Sequence, residues 1–320
     1  MTDEKLARVV HAAKMYYQLD YSQQAIAREL GISRPSVSRL LQEAKDRGIV
    51  QIRIVDPSQD VQQLEEEMQR RFQLKACLIT DSPVDDELVR KEALGRRAAG
   101  YLHEIVTNGD IIGTTWGTTV FETARQVAEK NVHGVQITQL NGGVSYSETN
   151  TYAAEILNYL GRAFHTSPHF LPLPAVVDHL VVKQAIVSDR HIRQVLELGK
   201  KANIAVFTAG NRHEQSSLVK ADYLTNEDVE LLKERGSVGD ICSRMIDIHG
   251  NICDDDINNR TIGIELEDLR MKEYAILVAG GLQKADAIFG ALNGGYANVL
   301  ITDQQTAQAL LDKEEKGESA

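Results

Sequence analysis

The sequence has few cysteines and no recognisable targeting segment. Its 320 residues include three cysteines, Cys77, Cys242 and Cys253, whose spacing matches no metal-ligand motif. An odd number of cysteines builds no closed disulfide framework, and the N-terminus (MTDEKLARVV) lacks the apolar core of a signal peptide. We therefore expect a cytoplasmic protein with reduced thiols, and we expect neither a metal nor another cofactor.

Long apolar runs are also missing. No stretch approaches the length of a membrane-spanning helix, although hydrophobic residues make up 42% of the chain. That fraction is typical of a globular protein, and 320 residues are more than a single core usually serves. These observations argue against a membrane partner and predict two domains.

Positive charge is scarce overall but concentrated at the N-terminus. The net charge is −11, which argues against general affinity for nucleic acid. Residues 1–55, however, hold nine Lys or Arg against six Asp or Glu, whereas residues 56–320 hold 26 against 40. A nucleic-acid contact is therefore expected only in the first part of the chain, where the net charge of +3 predicts weak binding by a single copy.

A helix-turn-helix pattern lies in this basic part, at residues 23–42 (QQAIARELGISRPSVSRLLQ). In such a fold the fifth position must be small, because the two helices cross there, and the ninth must tolerate a positive φ. These positions are Ala27 and Gly31. The positions that must be apolar to hold the helices together are Ile26, Leu30, Ile32, Val37 and Leu40. The complete pattern indicates a helix that enters the DNA major groove, and an ordinary helical hairpin with a solvated charged face is the alternative.

The second helix of this pattern carries most of the residues expected to contact DNA. Ser33 is a favourable N-cap, and Pro35 fits the first helical turn. Arginine can form two hydrogen bonds to guanine, and serine can hydrogen-bond base edges or phosphate. Arg28 and Arg53 are better placed to contact phosphate. Because one copy carries little charge, we expect a dimer or higher oligomer that reads a palindromic operator. The predicted DNA-binding residues are Ser22, Gln23, Gln24, Arg28, Ser33, Arg34, Pro35, Ser36, Ser38 and Arg39.

The segment DPSQD (56–60) is the predicted domain boundary, because Pro57 and its neighbours favour a turn. We expect residues 1–56 to form a winged helix-turn-helix domain, with a first helix over 4–19 and a short strand in GIVQIRIV (48–55). Residues 57–320 would form a larger ligand-binding and oligomerisation domain. A predicted helix over 61–72 either opens this domain or belongs to a linker coil.

The larger domain alternates short apolar runs with amphipathic helices, which include 86–106, Thr119–Lys130 and 150–164. This alternation predicts a doubly wound, mostly parallel α/β sheet with helices on both faces. The predicted strands are KACLIT (75–80), DIIGTT (110–115), VQITQL (135–140), LPAVV (173–177), NIAVFTAG (203–210), GDICSRMID (239–247), YAILVAGG (274–281) and ANVLITD (297–303).

Four loops near predicted strands are rich in glycine and small polar residues, and ligands of open parallel sheets bind at the carboxyl ends of strands. They are GTTWGTT (113–119), QLNGGVS (139–145), VGDI (238–241) and AGGLQK (279–284). The threonine hydroxyls of GTTWGTT precede a predicted helix, and Lys284 of AGGLQK lies in the first turn of another, so both loops could bind an anion. The glycine pair of QLNGGVS lets a ligand approach the backbone closely. A plain strand-to-helix turn, with surface Asp240 and Lys284, is the alternative. The predicted ligand residues are Thr115, Gly117, Thr118, Thr119, Asn141, Gly142, Gly143, Asp240, Gly280 and Lys284.

The joint pattern resembles the SorC family of bacterial sugar-responsive transcription regulators, most closely its deoxyribonucleoside-regulator type. The resemblance covers nearly the whole chain and implies a second domain with the fold of sugar-phosphate isomerases and aminosugar-phosphate deaminases, used as a sensor for a phosphorylated sugar. It also implies a tetramer. The segments that carry it are YSQQAIARELGISRPSVSRLL (21–41), GDIIGTTWGTT (109–119), QLNGGVS (139–145), VGDICSRMID (238–247), RTIGIELEDLR (260–270) and LVAGGLQKADAIFGALNGGYANVLITD (277–303).

The resemblance also implies roles for individual residues. It makes GTTWGTT the phosphate loop, with Thr118 and Thr119 at its hydroxyl positions and Lys284 as the basic residue that faces the phosphate. The positions that line the sugar in the family correspond to Asn141, Gly142 and Asp240.

One departure from the family concerns Asn141. Relatives of the deoxyribonucleoside type tend to have Leu-Lys-Gly-Gly where this chain has Leu-Asn-Gly-Gly at 140–143. A lysine there could form an imine with a ligand aldehyde, whereas an amide nitrogen is not a usable nucleophile. We therefore expect an effector such as deoxyribose 5-phosphate to bind without a covalent bond at this position.

Two functions fit these features. A transcription regulator, expected to be a repressor of a sugar or deoxyribonucleoside catabolic operon, would bind its operator through the first domain and a phosphorylated sugar through the second. An isomerase- or deaminase-like enzyme with an appended DNA-binding head would need a positioned general base and acid. GTTWGTT and QLNGGVS contain no carboxylate or histidine, which leaves Asp240 as the obvious candidate. We therefore predict a regulator without catalytic residues.

Overall fold

The computed structural model describes residues 3–50, 61–80, 86–145, 150–211 and 216–317. The chain divides into two compact units, Met1–Gln59 and Asp60–Ala320. The predicted boundary at 56–60, most of the predicted wing strand and Arg53 lie outside the described residues.

The described part of the first unit, residues 3–50, contains three helices, α1 (Asp3–Tyr17), α2 (Gln23–Glu29) and α3 (Arg34–Asp46). Their shared core is formed by Ala12, Met15, Ile26, Val37 and Leu41. Between α2 and α3 the chain turns at Gly31, whose φ of 62° favours glycine. The helix-turn-helix prediction is confirmed, because its small, apolar and turn positions occupy the places that the pattern requires.

Serine caps begin both helices of the motif. The Ser22 hydroxyl accepts a hydrogen bond from the Ala25 N–H at 3.2 Å, and the Ser33 hydroxyl accepts one from the Ser36 N–H at 3.3 Å. Each cap satisfies an N–H that the first helical turn leaves free, which is worth about 1 kcal/mol. The start of the recognition helix is therefore set by its own sequence.

The second unit is built on a parallel sheet. Its strands are β1 (Ala76–Thr80), β2 (Ile111–Thr114), β3 (Gln136–Gln139), β4 (Ile204–Phe207), β5 (Gly239–Ile241), β6 (Arg244–Ile246), β7 (Tyr274–Val278) and β8 (Val299–Asp303). Among the described residues, six of these strands form one sheet in the order β1-β8-β7-β4-β2-β3, and every pair in it is parallel. Successive side chains on β7 enter different cores, since Ala275 and Leu277 lie in one and Ile276 and Val278 in the other.

Helices cover both faces of this sheet, as predicted. One core contains Leu94, Val120 and Leu157, and the other contains Met68 and Ile288. The helix over 61–72 therefore belongs to this domain. No helix in the described part of the chain is long and apolar enough to cross a membrane. The helices are α4 (Val61–Phe72), α5 (Glu87–Ile105), α6 (Thr118–Ala124), α7 (Ala153–Ala163), α8 (Leu180–Ser188), α9 (Arg190–Lys201), α10 (Ser217–Lys220), α11 (Asn226–Glu234), α12 (Asp255–Arg260), α13 (Leu266–Arg270), α14 (Ala285–Asn293) and α15 (Gln304–Gly317).

Two predicted strands do not join the sheet. GDICSRMID folds back on itself as the antiparallel hairpin β5–β6, because Cys242 and Ser243 have φ values of 52° and 67°, as a two-residue hairpin turn requires. LPAVV contributes an isolated bridge between Val176 and Thr261. The prolines at 172 and 174 lack the N–H that a ladder needs, which explains why this run is not a strand.

The helix predicted over Thr119–Lys130 is also shorter than expected. It begins at Thr118 and ends at Ala124 as α6. Beyond it the chain turns so that the Lys130 ammonium donates to the Val106 carbonyl at 2.8 Å, at the C-terminal end of α5. A positive charge is stabilised at that end of a helix, and a continuous helix would not bring Lys130 there.

Candidate ligand pocket and nucleic-acid interface

The outer face of α3 carries exposed polar and basic side chains. Ser33, Arg34, Pro35, Ser38 and Arg39 are exposed, and Ser36 is partly buried. Arg34 and Arg39 form no salt bridge with any residue of the described part of the chain. By contrast, Glu43 is paired with Arg47 at 2.7 Å and with Lys5 at 3.3 Å.

The remaining predicted DNA contacts lie at α2. Ser22, Gln24 and Arg28 are exposed, whereas Gln23 is partly buried. The Ser22 hydroxyl accepts its capping hydrogen bond and keeps its own hydrogen to donate. The predicted residues are therefore mostly exposed along α2 and on α3, and their three exposed arginines, Arg28, Arg34 and Arg39, are accessible to a polyanion.

A pocket in the second unit lies where the direction of the sheet connections changes. β2 and β4 are neighbours in the sheet. The other neighbour of β2 is β3, towards one edge of the sheet, and the other neighbour of β4 is β7, towards the opposite edge. The crevice outside the carboxyl ends of such neighbouring strands is where doubly wound sheets bind ligands. Thr115 and Gly117 follow β2, and Thr208 and Gly210 follow β4, and all of them line this pocket. Its empty volume is about 440 Å³, part of it open to solvent.

Seven of the ten predicted ligand residues line this one pocket. They come from four loops that are far apart in the sequence, and they are Thr115, Gly117, Thr118, Thr119, Asn141, Asp240 and Lys284. Lys284 does not lie in the first turn of an α-helix, because a short 3₁₀ helix (Leu282–Lys284) precedes α14.

The other three predicted residues, Gly142, Gly143 and Gly280, are not in the pocket lining. A Cβ at Gly142 would lie 2.1 Å from the Pro174 carbonyl oxygen, and one at Gly280 would lie 2.3 Å from Asp303 Oδ2. The Gly142 carbonyl accepts a hydrogen bond from Trp116 Nε1 at 2.7 Å. Gly142 and Gly143 therefore permit close packing behind the pocket wall, whereas Gly280 lines an adjoining cavity.

Several lining residues were not identified from the sequence. They are Trp116, Thr208, Ala209, Gly210, Ser217, Cys242 and Ser243. The run NIAVFTAG ends in Thr-Ala-Gly, and small or polar residues at the end of a strand also marked the four predicted loops. The sequence therefore contained a signal for Thr208, Ala209 and Gly210. Ser217 and the hairpin tip carried no comparable signal, because their position depends on how the chain folds back after β4.

The hairpin β5–β6 places Asp240 in the pocket wall. The Gly210 N–H donates to the Asp240 carbonyl at 2.8 Å, and the Ser243 N–H donates to Asp240 Oδ2 at 3.2 Å. Burial raises the pKa of Asp240 to about 6, while the Ser243 hydrogen bond and the charge of Lys284 oppose the rise. The carboxyl is therefore mostly ionised at neutral pH.

Lys284 is the basic group of the pocket. Burial and, to a smaller degree, the nearby charge of Lys91 lower the pKa of Lys284 to about 8, while Asp240 and Glu87 oppose the shift. Lys284 forms no salt bridge within the described part of the chain. At neutral pH it is thus a mostly protonated ammonium without a direct counter-ion.

Two buried polar atoms in the pocket wall lack a partner among the described residues, Thr115 Oγ1 and Asn141 Oδ1. Asn141 is 2% exposed, and its Nδ2 donates to Ser243 Oγ at 2.7 Å. Buried polar atoms are almost always hydrogen-bonded, and one left unpaired costs about 1–3 kcal/mol. Both atoms are therefore suited to a polar ligand.

The backbone around Asn141 is held by a buried arginine that the sequence did not indicate. Arg244 is 1% exposed, and its Nε donates to the Ile264 carbonyl at 2.8 Å. The Ile264 N–H in turn donates to the Leu140 carbonyl at 2.8 Å, next to Asn141. Arg244 also pairs with Glu265 at 2.8 Å. It therefore fixes the loop that carries Asn141.

Both units match known protein families. Residues 56–312 match the family described as a putative sugar-binding domain, and residues 4–66 match the Crp-like helix-turn-helix domain. The chain is 49% identical to a deoxyribonucleoside regulator of Bacillus subtilis over 312 residues, or 98% of this chain and 99% of that protein. It is 31% identical to a sorbitol operon regulator of Klebsiella pneumoniae over 308 residues, or 95% and 97% of the two chains.

A solved structure covers the same length. The full-length sorbitol operon regulator SorC from Klebsiella pneumoniae superimposes with a TM-score of 0.78 at 28% identity, and the match covers 97% of this chain and 99% of that one. These matches identify the protein as a transcription regulator and not an enzyme, with a helix-turn-helix domain joined to a sugar-binding domain. The chain therefore belongs to the SorC family of DNA-binding, sugar-responsive transcription regulators.

Proposed function

We propose that the pocket between β2 and β4 is the effector site and that it binds a phosphorylated sugar. The observation that carries this proposal is that Thr119, Asn141, Asp240 and Lys284, from four separate loops, meet around buried polar atoms that have no partner among the described residues. The relative named deoxyribonucleoside regulator makes deoxyribose 5-phosphate the first effector to test.

The phosphate would lie between the loop after β2 and Lys284. Gly117 has a φ of 123°, which favours glycine, and its lack of a side chain lets a ligand approach the backbone closely. The next two residues, Thr118 and Thr119, carry the hydroxyls. Because α6 has only seven residues, its dipole adds little, and the hydroxyls and the ammonium of Lys284 carry the charge recognition. The sugar hydroxyls would then meet Asn141, Asp240 and Thr115.

Effector binding would change how the DNA-binding heads engage an operator. We propose a cytoplasmic repressor, with residues 1–56 as the DNA-binding domain and residues 57–320 as the effector and oligomerisation domain. Two heads of a dimer or tetramer would read a palindromic operator, because the charge of a single head supports weak binding. Coupling between two such sites is typically about 1–3 kcal/mol.

The direct test is release of operator DNA by a panel of sugar phosphates. Deoxyribose 5-phosphate, ribose 5-phosphate, hexose 6-phosphates and the matching free sugars would be titrated into a protein–operator complex. We expect phosphorylated sugars to change operator affinity about 5- to 150-fold and free sugars to have no effect. Turnover of any of them would instead support the enzyme alternative.

Trp116 offers a direct readout of ligand entry. It is the only tryptophan in the chain, it is 8% exposed, and it lines the pocket. We expect its fluorescence emission to change on addition of the sugar phosphate, with a midpoint equal to the calorimetric Kd. Binding that is seen by calorimetry without any emission change would place the ligand elsewhere.

The affinity for a phosphorylated sugar should fall above neutral pH. A pKa of about 8 means that Lys284 is mostly protonated at pH 7 and mostly neutral at pH 9, so its attraction for the phosphate weakens as pH rises through that range. Calorimetric titrations at pH 7, 8 and 9 would measure this loss. The Lys284→Arg variant stays charged and should show little change over the same range. Equal pH dependence in both proteins would argue against the assignment.

Asn141 should decide whether the effector is bound covalently. The wild-type chain is expected to give no borohydride-trapped adduct at position 141, because an amide nitrogen does not form an imine. Asn141→Lys should give a trapped adduct with an aldehyde sugar phosphate, detected as a mass increase. Asn141→Gln, which keeps an amide, is the matched control. A variant that binds the sugar without any mass increase would show that the carbonyl carbon lies away from position 141.

A further inference from the structure

A second cavity adjoins the effector pocket. It lies between the start of α5 and the loop after β7, and its empty volume is about 1040 Å³, part of it open to solvent. Thr119 and Lys284 line both cavities, so the two spaces meet at these side chains. The proposed phosphate position therefore lies where the two cavities adjoin.

Three cationic side chains converge on this cavity, Arg90, Lys91 and Lys284. Lys91 pairs with Glu87 at 2.5 Å, and Arg90 Nε lies 3.5 Å from Asp303 Oδ2. Lys284 has no such carboxylate contact within the described part of the chain. Arg90 and Lys91 each lie beside a carboxylate, so among the described residues it is Lys284, where the two cavities meet, that supplies positive charge without a contacting carboxylate.

The guanidinium of Arg90 is held in place before any ligand arrives. The Gly281 N–H donates to Asp303 Oδ2 at 2.7 Å, which ties the loop to the carboxylate beside Arg90. A Cβ at Gly281 would lie 3.2 Å from Arg90 Nη1, and φ at this position is 96°. Glycine here thus lets the guanidinium lie against the loop, and a preorganised donor loses less entropy on binding.

Asn211 also lines the cavity. The Asn211 amide oxygen is a buried atom with no hydrogen-bond partner among the described residues. An amide turned by 180° about its last side-chain bond would place its N–H₂ group where the oxygen now lies, and that group can donate to an anion. The cavity thus combines fixed positive charge with an unused hydrogen-bonding group.

We propose that this second cavity is a subsite for a second phosphoryl group, bound by Arg90 and Lys91. The proposal rests on the proposed function, because it takes Thr119 and Lys284 as the site of the first phosphate. A group that extends from the first phosphate into the second cavity would be bonded to that phosphate and would point away from the sugar. The matching chemistry is a pyrophosphoryl group, as in a sugar diphosphate, or a separate phosphate ion beside the first.

The test uses inorganic phosphate and pyrophosphate as probes, titrated calorimetrically into the full chain. We expect pyrophosphate to bind at least about tenfold more tightly than phosphate, and Lys91→Gln to remove about tenfold of pyrophosphate affinity with little effect on phosphate. If the second group is a separate ion, the wild-type chain binds two phosphates and Lys91→Gln binds one.

Two controls separate the subsite from a folding defect. Arg96→Gln changes the same charge on the same helix at a side chain that is 70% exposed, and it should leave both probes unaffected. Lys91→Arg keeps the charge and should keep the preference for pyrophosphate. The proposal is overturned if Lys91→Gln changes neither pyrophosphate affinity nor phosphate stoichiometry. Failure of the effector-site proposal would show separately, as sugar-monophosphate binding that survives Lys284→Ala.

Discussion

Replacing Lys284 with alanine is expected to abolish the response to a phosphorylated sugar while leaving operator binding intact. A hydrogen bond to a charged group contributes about 1.5–3 kcal/mol, so the loss of the ammonium should weaken sugar-phosphate binding about 10- to 150-fold. The DNA-binding surface is in the other unit and contains no part of this pocket. Operator affinity without effector should therefore equal that of the wild-type chain.

The measurement is a pair of titrations, one of sugar phosphate into protein and one of protein onto operator DNA. Lys233→Ala is the matched control, because Lys233 lies on α11 in the same unit, pairs with Glu230 at 2.8 Å and is not in the pocket lining. A Lys284→Ala protein that still releases its operator at the wild-type effector concentration would refute the assignment of the phosphate site.

Replacing Arg39 with alanine is expected to weaken specific operator binding strongly. Arg39 is exposed on α3 and has no salt-bridge partner within the described part of the chain, so its guanidinium is free to contact a base. A bidentate contact to guanine favours the correct base over a wrong one by about 1–3 kcal/mol. In an oligomer that reads two half-sites, the substitution would remove this contact from both half-sites. Arg34→Ala, at the first position of the same helix, should have an effect of the same kind.

Binding to the operator and to a scrambled duplex, each at several salt concentrations, distinguishes two modes of contact. Loss of a base contact weakens operator binding alone, whereas loss of a phosphate contact weakens both and lowers the salt dependence. Arg193→Ala, on α9 of the second unit, is the charge-matched control and should change neither. Unchanged operator affinity in both Arg39→Ala and Arg34→Ala would remove α3 from the role of recognition helix.

The sequence by itself determined the helix-turn-helix, because the forces that build it are local. Ser22 and Ser33 cap helices within three residues of themselves, and Gly31 supplies the turn between those helices. The positions of Ile26 and Val37 follow from the helical period of 3.6 residues, and both are completely buried. The same local rules located the six strands of the parallel sheet.

Only the tertiary structure decided which loops meet. The strand order β7-β4-β2-β3 places the ligand crevice between β4 and β2, where the strand connections run in opposite directions. This order depends on pairings between residues that are far apart in the sequence. It brought Asn141 and Lys284 into one pocket, whereas Gly142 and Gly143 became packing positions behind it. It also turned the run around Asp240 into a hairpin. Non-local pairing therefore selected the ligand pocket from candidate loops that the sequence had marked.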